Sequence, residues 1–281
     1  MLSILYGIAS ALSWGAADFA GGLAARRLST YRAVFYGNML GLLVLFVTVA
    51  FYPETIPEAR SMILAGLAGM FGSISLLVLF YSMTCGQMSI AAPVSGLFAA
   101  TLPVVVGVFT QGFPAPIQFI GFGLALLAVW LISQGDTKHR FNIDRISNLR
   151  LPLLAGLGFG SYFIFMHYAI RGIESTIWPM IATYSTGTLM AFAFVLARRE
   201  TFAVQRNAWG VVLVHVVFNV GGNLFYILAL KSGRLDISAA LSSLYPGVTV
   251  ILAWLILKER ISLTQCIGIF AALIAIILFT V

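Results

Sequence analysis

The sequence predicts an all-α integral membrane protein of ten transmembrane helices, arranged as two inverted five-helix repeats. Three observations predict this fold. Hydrophobic residues make up 60% of the 281 residues and charged residues only 9%, whereas soluble chains carry about a quarter charged residues. The apolar residues form runs of about 20, the length of a helix that crosses a bilayer. The two halves of the chain also resemble each other.

The spans follow one another with short polar breaks. The first five fall at residues 2–25, 31–51, 61–83, 89–111 and 116–134. After the polar stretch GDTKHRFNIDRISNLR, five more fall at residues 151–171, 177–197, 208–230, 237–257 and 262–280. We therefore expect a first repeat at 1–134, a basic cytoplasmic linker at 135–150 and a second repeat at 151–281.

Internal similarity supports the two repeats. At an offset of 147 residues, the pairs that match include Gly86 with Gly233, Ser95 with Ser242, Gln118 with Gln265 and Gly121 with Gly268. Because each repeat holds an odd number of spans, the second copy enters the membrane from the opposite side. This inverted arrangement is typical of secondary transporters, which hold their substrate in a central cavity near the midplane.

The loop charges predict the topology. Of the 16 Lys and Arg residues, 12 lie in the loops that follow spans one, five, seven and nine. Positive residues favour the cytoplasmic side. We therefore expect a multi-pass protein of the inner membrane with both termini outside, in the periplasm.

Several classes of protein are disfavoured. Two cysteines, Cys85 and Cys266, provide neither a disulfide framework nor a metal site, and we expect no metal and no cofactor. The net charge of +7 comes from residues between apolar runs, which fits anionic lipid better than nucleic acid. The ionisable residues inside the spans are scattered, so we expect no enzyme.

Span eight carries polar side chains that need an explanation. His215, Asn219 and Gly222 lie on one helical face, with Asn223 at its rim. Unsatisfied polar groups in lipid cost several kcal/mol, so this face must contact protein or a wet cavity. Hydrogen bonds between helices and binding of a ligand are both open. The repeat mate, span three, has glycines there, which favours a ligand.

Span one contains Asp18, the only acid clearly inside a span. An intramembrane carboxylate marks a functional site by default, although pairing with Arg26 or Arg27 at the interface is the alternative. His167 is the repeat mate of Asp18, and a packing role is favoured for it. Both residues are candidates for proton coupling.

Spans four and nine contain prolines, which predicts broken helices. We expect hinges of alternating access at Pro93, Pro103, Pro246 and Gly247. Four side chains of these spans are candidates to face the cavity, namely Ser95, Phe98, Ser242 and Tyr245.

The segments ALSWGAADF in span one and SSLYPGVTVILAWLILKERISLTQCIG in spans nine and ten, with the inverted repeat, resemble the EamA branch of the drug/metabolite transporter superfamily. The resemblance implies an exporter of metabolites or amino acids with a central cavity, walled mainly by spans one, three, four, six, eight and nine. On this chain it points to Trp14, Tyr81, Ser95, Phe98, Tyr162, Phe163, Asn219, Asn223 and Tyr245.

We therefore predict a secondary transporter that exports small amphipathic metabolites, amino acids above all, by alternating access. The candidate binding residues are those above together with Asp18, His215 and Ser242. The nearest alternative is a multidrug exporter of lipophilic cations. A lipid-carrier flippase and a membrane protein that does not transport are alternatives from other classes. The predicted partners are a small-molecule substrate and the bilayer, and a monomer is favoured over a homodimer.

Overall fold

The computed structural model describes residues 1–85, 88–133, 144–258 and 262–280, and every regular element in this part of the chain is a helix. Most of the predicted linker at 135–150 therefore lies outside the described residues. The helices are α1 Leu2–Arg27, α2 Thr30–Phe51, α3 Ala59–Cys85, α4 Met88–Gln111, α5 Pro116–Ser133, α6 Asp144–Ala169, α7 Ile177–Ala197, α8 Trp209–Ser232, α9 Leu235–Ser242, α10 Tyr245–Leu257 and α11 Leu263–Thr280, with one 3₁₀ turn at Arg206–Ala208.

These helices account for the ten predicted spans. Within the described residues, seven are long and apolar enough to cross a membrane, with α9 and α10 together counted as one of them. Two shorter apolar helices, Pro116–Leu131 and Leu263–Ala275, and the helix α1 complete the set. The prediction of an all-helical membrane protein with ten spans is confirmed.

The contacts between helices relate the two halves of the chain. Helix α1 packs on α8, and their counterparts in the other half, α6 and α3, also pack on each other. Helix α4 packs on α6, and the equivalent helices α9 and α10 pack on α1. The remaining helices contact their own counterparts, α2 with α7 and α5 with α11. When each helix is replaced by its counterpart in the other half, the same set of contacts is therefore obtained.

Span nine is broken, as the prolines predicted. Helix α9 ends at Ser242 and α10 begins at Tyr245, two residues before the expected hinge residue Gly247. Because Pro246 has no N–H group, the hydrogen-bond ladder is interrupted here. The Leu244 N–H group donates to the Leu241 carbonyl at 3.1 Å. This hydrogen bond joins residues three apart, as in a 3₁₀ turn.

Span four is continuous, and the prediction of a break at its prolines is wrong. Helix α4 runs from Met88 to Gln111 through the positions of Pro93 and Pro103; the side chain of Pro93 lies outside the described part. Gly156 and Gly160 of α6 bring that helix close against Ser95, Phe98 and Leu102. This close packing supports α4 along its length, since neighbouring helices compensate for the hydrogen bonds that proline removes.

Polar side chains fix the turn that leads into α7. One carboxylate oxygen of Glu54 accepts hydrogen bonds from Ser175 Oγ at 2.7 Å and from the N–H groups of Thr176 and Ile177 at 2.9 and 2.8 Å. Lys231 donates to the Ser175 carbonyl at 2.9 Å. An anion at a helix N-terminus is favourable because unpaired N–H groups point at it. Glu54 therefore ties the α2–α3 loop to α7.

Candidate functional site

A cavity lies between the two halves of the protein, near the middle of the helices. Its volume is about 60 Å³, which is room for on the order of four to six waters. Helices α1, α2, α3, α6, α7, α8 and α10 provide its walls. The lining residues are Trp14, Asp18, Asn38, Gly69, Gly72, Ser73, Leu76, Phe159, Tyr162, Phe163, Thr183, Tyr184, Asn219, Asn223 and Tyr245.

Asp18 is the one acidic residue among these lining residues. Its side chain is 7% exposed, and within the described chain no Lys or Arg forms an ion pair with it. Arg26 and Arg27 are exposed at the end of α1, where Arg27 donates to the Asn207 carbonyl at 2.9 Å. The sequence left a pair between Asp18 and either arginine open. The described structure contains no such pair.

Helix α8 contributes an amide network to the wall. Tyr162 Oη donates to Asn223 Oδ1 at 2.6 Å, and Asn223 Nδ2 donates to the Asn219 carbonyl at 2.7 Å and to Tyr184 Oη at 3.2 Å. Asn219 Oδ1 faces Asn223 Nδ2 at 3.4 Å. Among the described residues Asn219 Nδ2 has no hydrogen-bond partner, so it remains a donor for a bound molecule.

Helices α1 and α8 pack on each other and bring Asp18 and Asn219 to the same cavity. Ser10 Oγ donates to the Gly222 carbonyl at 2.9 Å, and about two turns further along, the ring of His215 bonds to the Ala17 carbonyl at 2.8 Å. These bonds set the antiparallel register of the two helices. Asp18 and Asn219 both lie between the two bonded levels or next to them, and both line the cavity.

A second polar pair faces the same space from α2 and α3. Asn38 Nδ2 donates to Ser73 Oγ at 3.1 Å, and both side chains are buried. Gly187 of α7 lies against both of them, where a Cβ atom would overlap with the Ser73 hydroxyl. The pair is therefore enclosed by three helices, and both residues line the cavity.

Aromatic rings form the side of the cavity nearer the start of α1. Trp14 stacks on Phe163 with ring centroids 5.6 Å apart, and Tyr226 packs on Phe163 at 4.8 Å. The Trp14 indole lies directly over Gly222, where a Cβ atom would overlap with it. Helix α1 therefore approaches α8 closely at Gly222. The cavity is amphipathic, with amides and a carboxylate next to aromatic faces.

The structure brings seven of the predicted binding residues to the cavity. They are Trp14, Asp18, Tyr162, Phe163, Asn219, Asn223 and Tyr245. Ser95 lies behind Tyr245, whose hydroxyl is 2.9 Å from Ser95 Oγ. Phe98 packs on Gly156, and Tyr81 is 48% exposed near the end of α3. Ser242 is fully buried at the helix break, and its hydroxyl has no partner among the described residues.

Neither of the two predicted histidines, His167 and His215, is among the lining residues. His215 is 2% exposed, bonds to Ala17 and packs edge-on against Phe80. It joins α8 to α1, and this contact accounts for one of the polar groups in span eight. His167 lies 3.2 Å from the side-chain amide of Gln111, near the far end of α6. The structure therefore separates it from Asp18.

Sequence reasoning missed the contributions of α2 and α7. Asn38 was detectable as an isolated amide within an apolar span, whereas nothing in the sequence distinguishes Tyr184 or Thr183 from packing residues. Among the glycines of span three, Gly69 packs on α7 and Gly72 on Tyr162, and both also line the cavity. Span four, which we expected in the wall, provides none of the described lining residues.

Comparison with known proteins identifies relatives of the chain. The model of the EamA-like transporter family matches residues 1–134 and 149–281. A protein of Enterococcus faecalis named "Putative sugar uptake protein" is 21% identical over 269 residues, which cover 92% of this chain and 90% of that protein. An uncharacterized protein of Methanocaldococcus jannaschii is 29% identical over 108 residues, 38% of this chain and 79% of that one.

A solved structure has the same fold. It is a crystal structure of a protein that is 16% identical to this chain and superposes with a TM-score of 0.79, over 99% of this chain and 96% of its own. At this level of identity the likeness shows the architecture alone.

Proposed function

Because the chain belongs to the EamA-like transporter family, whose members are membrane transporters of small molecules and not enzymes, we propose that it exports small amphipathic metabolites, amino acids above all. Transport proceeds by alternating access and is coupled to protons through Asp18. The observation that carries this proposal is a pair of polar groups without a partner among the described residues, the Asp18 carboxylate and Asn219 Nδ2, beside the aromatic wall of one cavity.

The two groups match the two ends of a zwitterion. An ammonium group pairs with the Asp18 carboxylate, and a carboxylate accepts a hydrogen bond from Asn219 Nδ2. Charge-assisted hydrogen bonds of this kind are roughly twice as strong as neutral ones. The side chain of the substrate then lies against Trp14 and Phe163, since ligand pockets are mostly apolar with a few polar groups that fix orientation.

The charge of the lining restricts the substrate further. The described lining residues include one carboxylate and no Lys or Arg, so a phosphorylated substrate has no cation to offset its charge. A lipophilic cation is the closest competitor, because Asp18 and the Trp14 face both attract positive charge. Such a cation does not need the amide of Asn219, and this difference separates the two classes in an experiment.

A sugar is the second candidate substrate. The relative from Enterococcus faecalis is named for sugar uptake and aligns over 92% of this chain. The amides of Asn38, Asn219 and Asn223 and the hydroxyls of Ser73 and Thr183 provide donors and acceptors for sugar hydroxyls. A sugar hydroxyl can donate a hydrogen bond to Asp18 but carries no positive charge to compensate the carboxylate, whereas an ammonium group does, so Asp18 favours an amino acid.

Proton coupling follows from the cost of an unpaired buried charge. A carboxylate without a cationic partner in an apolar site is strongly destabilised. When the ammonium group of the substrate leaves, a proton takes its place on Asp18, so the negative charge of the Asp18 carboxylate is compensated in both states. The break between α9 and α10, with Pro246 and Gly247, is our proposed hinge. We further propose a monomer in the inner membrane with both termini in the periplasm.

A transport assay with purified protein tests the proposal. Liposomes loaded separately with labelled amino acids, sugars and a lipophilic cation are followed for efflux through wild-type protein and the Asn219→Ala variant. The control is Val217→Ala, a lipid-exposed position on the same helix. We expect amino-acid efflux that Asn219→Ala reduces at least tenfold and Val217→Ala leaves unchanged.

The other results assign the other classes. Efflux of the lipophilic cation that is insensitive to Asn219→Ala contradicts the amino-acid proposal in favour of a cation exporter, and efflux of sugars alone favours the second candidate. Movement of a labelled lipid carrier without any of these solutes identifies a flippase.

A further inference from the structure

A cluster of arginines lies at the end of the protein where α1 ends and α8 begins. The α1–α2 and α7–α8 loops meet there. Arg27 donates to the Asn207 carbonyl and Arg32 to the Ala203 carbonyl, both at 2.9 Å. Tyr36 Oη donates to the Phe202 carbonyl at 2.5 Å. These bonds hold the two loops together as one surface.

This surface has a large excess of positive charge. Its arginines are Arg26, Arg27, Arg32, Arg198, Arg199 and Arg206. Within residues 24–36 and 194–209, Glu200 is the only acidic residue, and it pairs with Arg32 at 3.3 Å. The remaining arginines are exposed, and no described acidic residue forms an ion pair with them. Five positive charges are thus left without a counter-charge in the described structure.

An exposed apolar patch adjoins the arginines. Phe192, Phe194 and Phe202 are all more than a third exposed. Phe192 packs on Phe202 with ring centroids 5.8 Å apart, and Phe194 stacks on Tyr31, the ring over which Arg198 also lies at 5.5 Å. Charged guanidinium groups and exposed aromatic rings are therefore joined through shared contacts at this end of the protein.

We propose that this surface, the arginine cluster of Arg26, Arg27, Arg198, Arg199 and Arg206 with its aromatic patch, binds an anionic phospholipid. Guanidinium groups bind phosphate oxygens in a bidentate manner, and basic pockets between helices at the membrane face bind acidic headgroups. The acyl chains lie along the three phenylalanines. This apolar contact distinguishes a lipid from free phosphate, which would use the arginines alone.

Lipid binding to the purified full-length protein tests this proposal. In detergent, native mass spectrometry follows the binding of phosphatidylglycerol and of phosphatidylcholine, so the orientation of the protein in a membrane has no influence. We expect the wild type to prefer phosphatidylglycerol and Arg198→Gln/Arg199→Gln to lose at least tenfold in its affinity, since each basic residue near an acidic surface contributes substantially. A second variant, Arg26→Gln/Arg206→Gln, is expected to weaken binding in the same direction.

The matched control is Arg60→Gln/Arg171→Gln, which removes two arginines at the opposite end of the helices and should keep the preference. Equal binding of both lipids by the wild type overturns the proposal, as does an unchanged preference in both cluster variants. Full displacement of the bound lipid by millimolar inorganic phosphate also overturns it, because the site would then be a simple anion site. None of these results bears on which solute the protein transports.

Discussion

Tyr162 offers a direct test of how the cavity wall is organised. Its hydroxyl donates to Asn223 Oδ1 at 2.6 Å, and Asn223 in turn holds Asn219 through the 2.7 Å bond to the Asn219 carbonyl. The substitution Tyr162→Phe removes one hydroxyl and leaves Asn223 Oδ1 buried without its donor. A buried polar group left unsatisfied costs about 1–3 kcal/mol. The substituted protein should therefore be less stable by that amount.

The effect on substrate binding should be separate from the effect on stability. Without this donor, the Asn223 amide is oriented only through Nδ2, by its bonds to the Asn219 carbonyl and Tyr184 Oη, and its contact with Asn219 Oδ1 should be less well defined. We expect the apparent affinity for substrate to fall about tenfold, the equivalent of one net hydrogen bond of roughly 1.4 kcal/mol. The change should be measured as an increase in KM in the liposome assay.

Tyr226 is the matched control for Tyr162. It is equally buried in the same aromatic cluster, and its hydroxyl donates to the Phe163 carbonyl at 3.2 Å, but it is not among the residues that line the cavity. Tyr226→Phe should lower the melting temperature to a similar extent and leave KM unchanged. If both variants raise KM equally, or neither does, the network does not position the binding groups and the reasoning is refuted.

Three further substitutions test other parts of the account. Asp18→Asn should abolish accumulation driven by a pH gradient while substrate exchange persists. Asp18→Glu should retain part of the accumulation. Uphill transport by Asp18→Asn at the wild-type level would exclude proton coupling through this residue. Glu54→Gln should destabilise the protein by about 1–2 kcal/mol, because the charged cap of α7 is lost, as measured by thermal melting against Glu58→Gln, an exposed acid in the same loop. Gly222→Ala should lower the melting temperature, since its Cβ atom overlaps with Trp14, whereas Gly221→Ala, with only ordinary contacts at 3.8 Å or more, should not.

The periodicity of span eight predicted much of the site. Asn219, Gly222 and Asn223 repeat at helical spacing in an apolar run, and all three are buried toward the interior of the bundle. The same reasoning could not separate His215 from them, because its partner is a backbone carbonyl on α1 that no sequence pattern reveals. A polar residue at the right spacing shows which face is buried, but the neighbouring helix decides whether it meets a cavity or protein.

Proline in spans four and nine illustrates the same limit of local patterns. Span nine breaks before Pro246, whereas α4 stays continuous through two prolines because Gly156 and Gly160 of α6 pack closely against it. Asn38 of α2 and Ser73 of α3 are hydrogen-bonded to each other, although the pattern of neither span taken alone indicates this contact. Local sequence patterns therefore predict the spans and their buried faces, whereas the packing of helices on one another determines which residues share the cavity.

The most direct test of the central claim is the accessibility of position 219 to substrate. Asn219→Cys is made in a Cys85→Ser/Cys266→Ser background and treated with a small aqueous thiol reagent in membranes, with and without the amino acid that the efflux assay identifies. The lipid-facing control is Val217→Cys. The account predicts that the thiol at 219 reacts and that substrate slows the reaction, while the thiol at 217 shows no protection. A thiol at 219 that does not react, or that reacts at the same rate with saturating substrate present, would contradict a substrate site in this cavity.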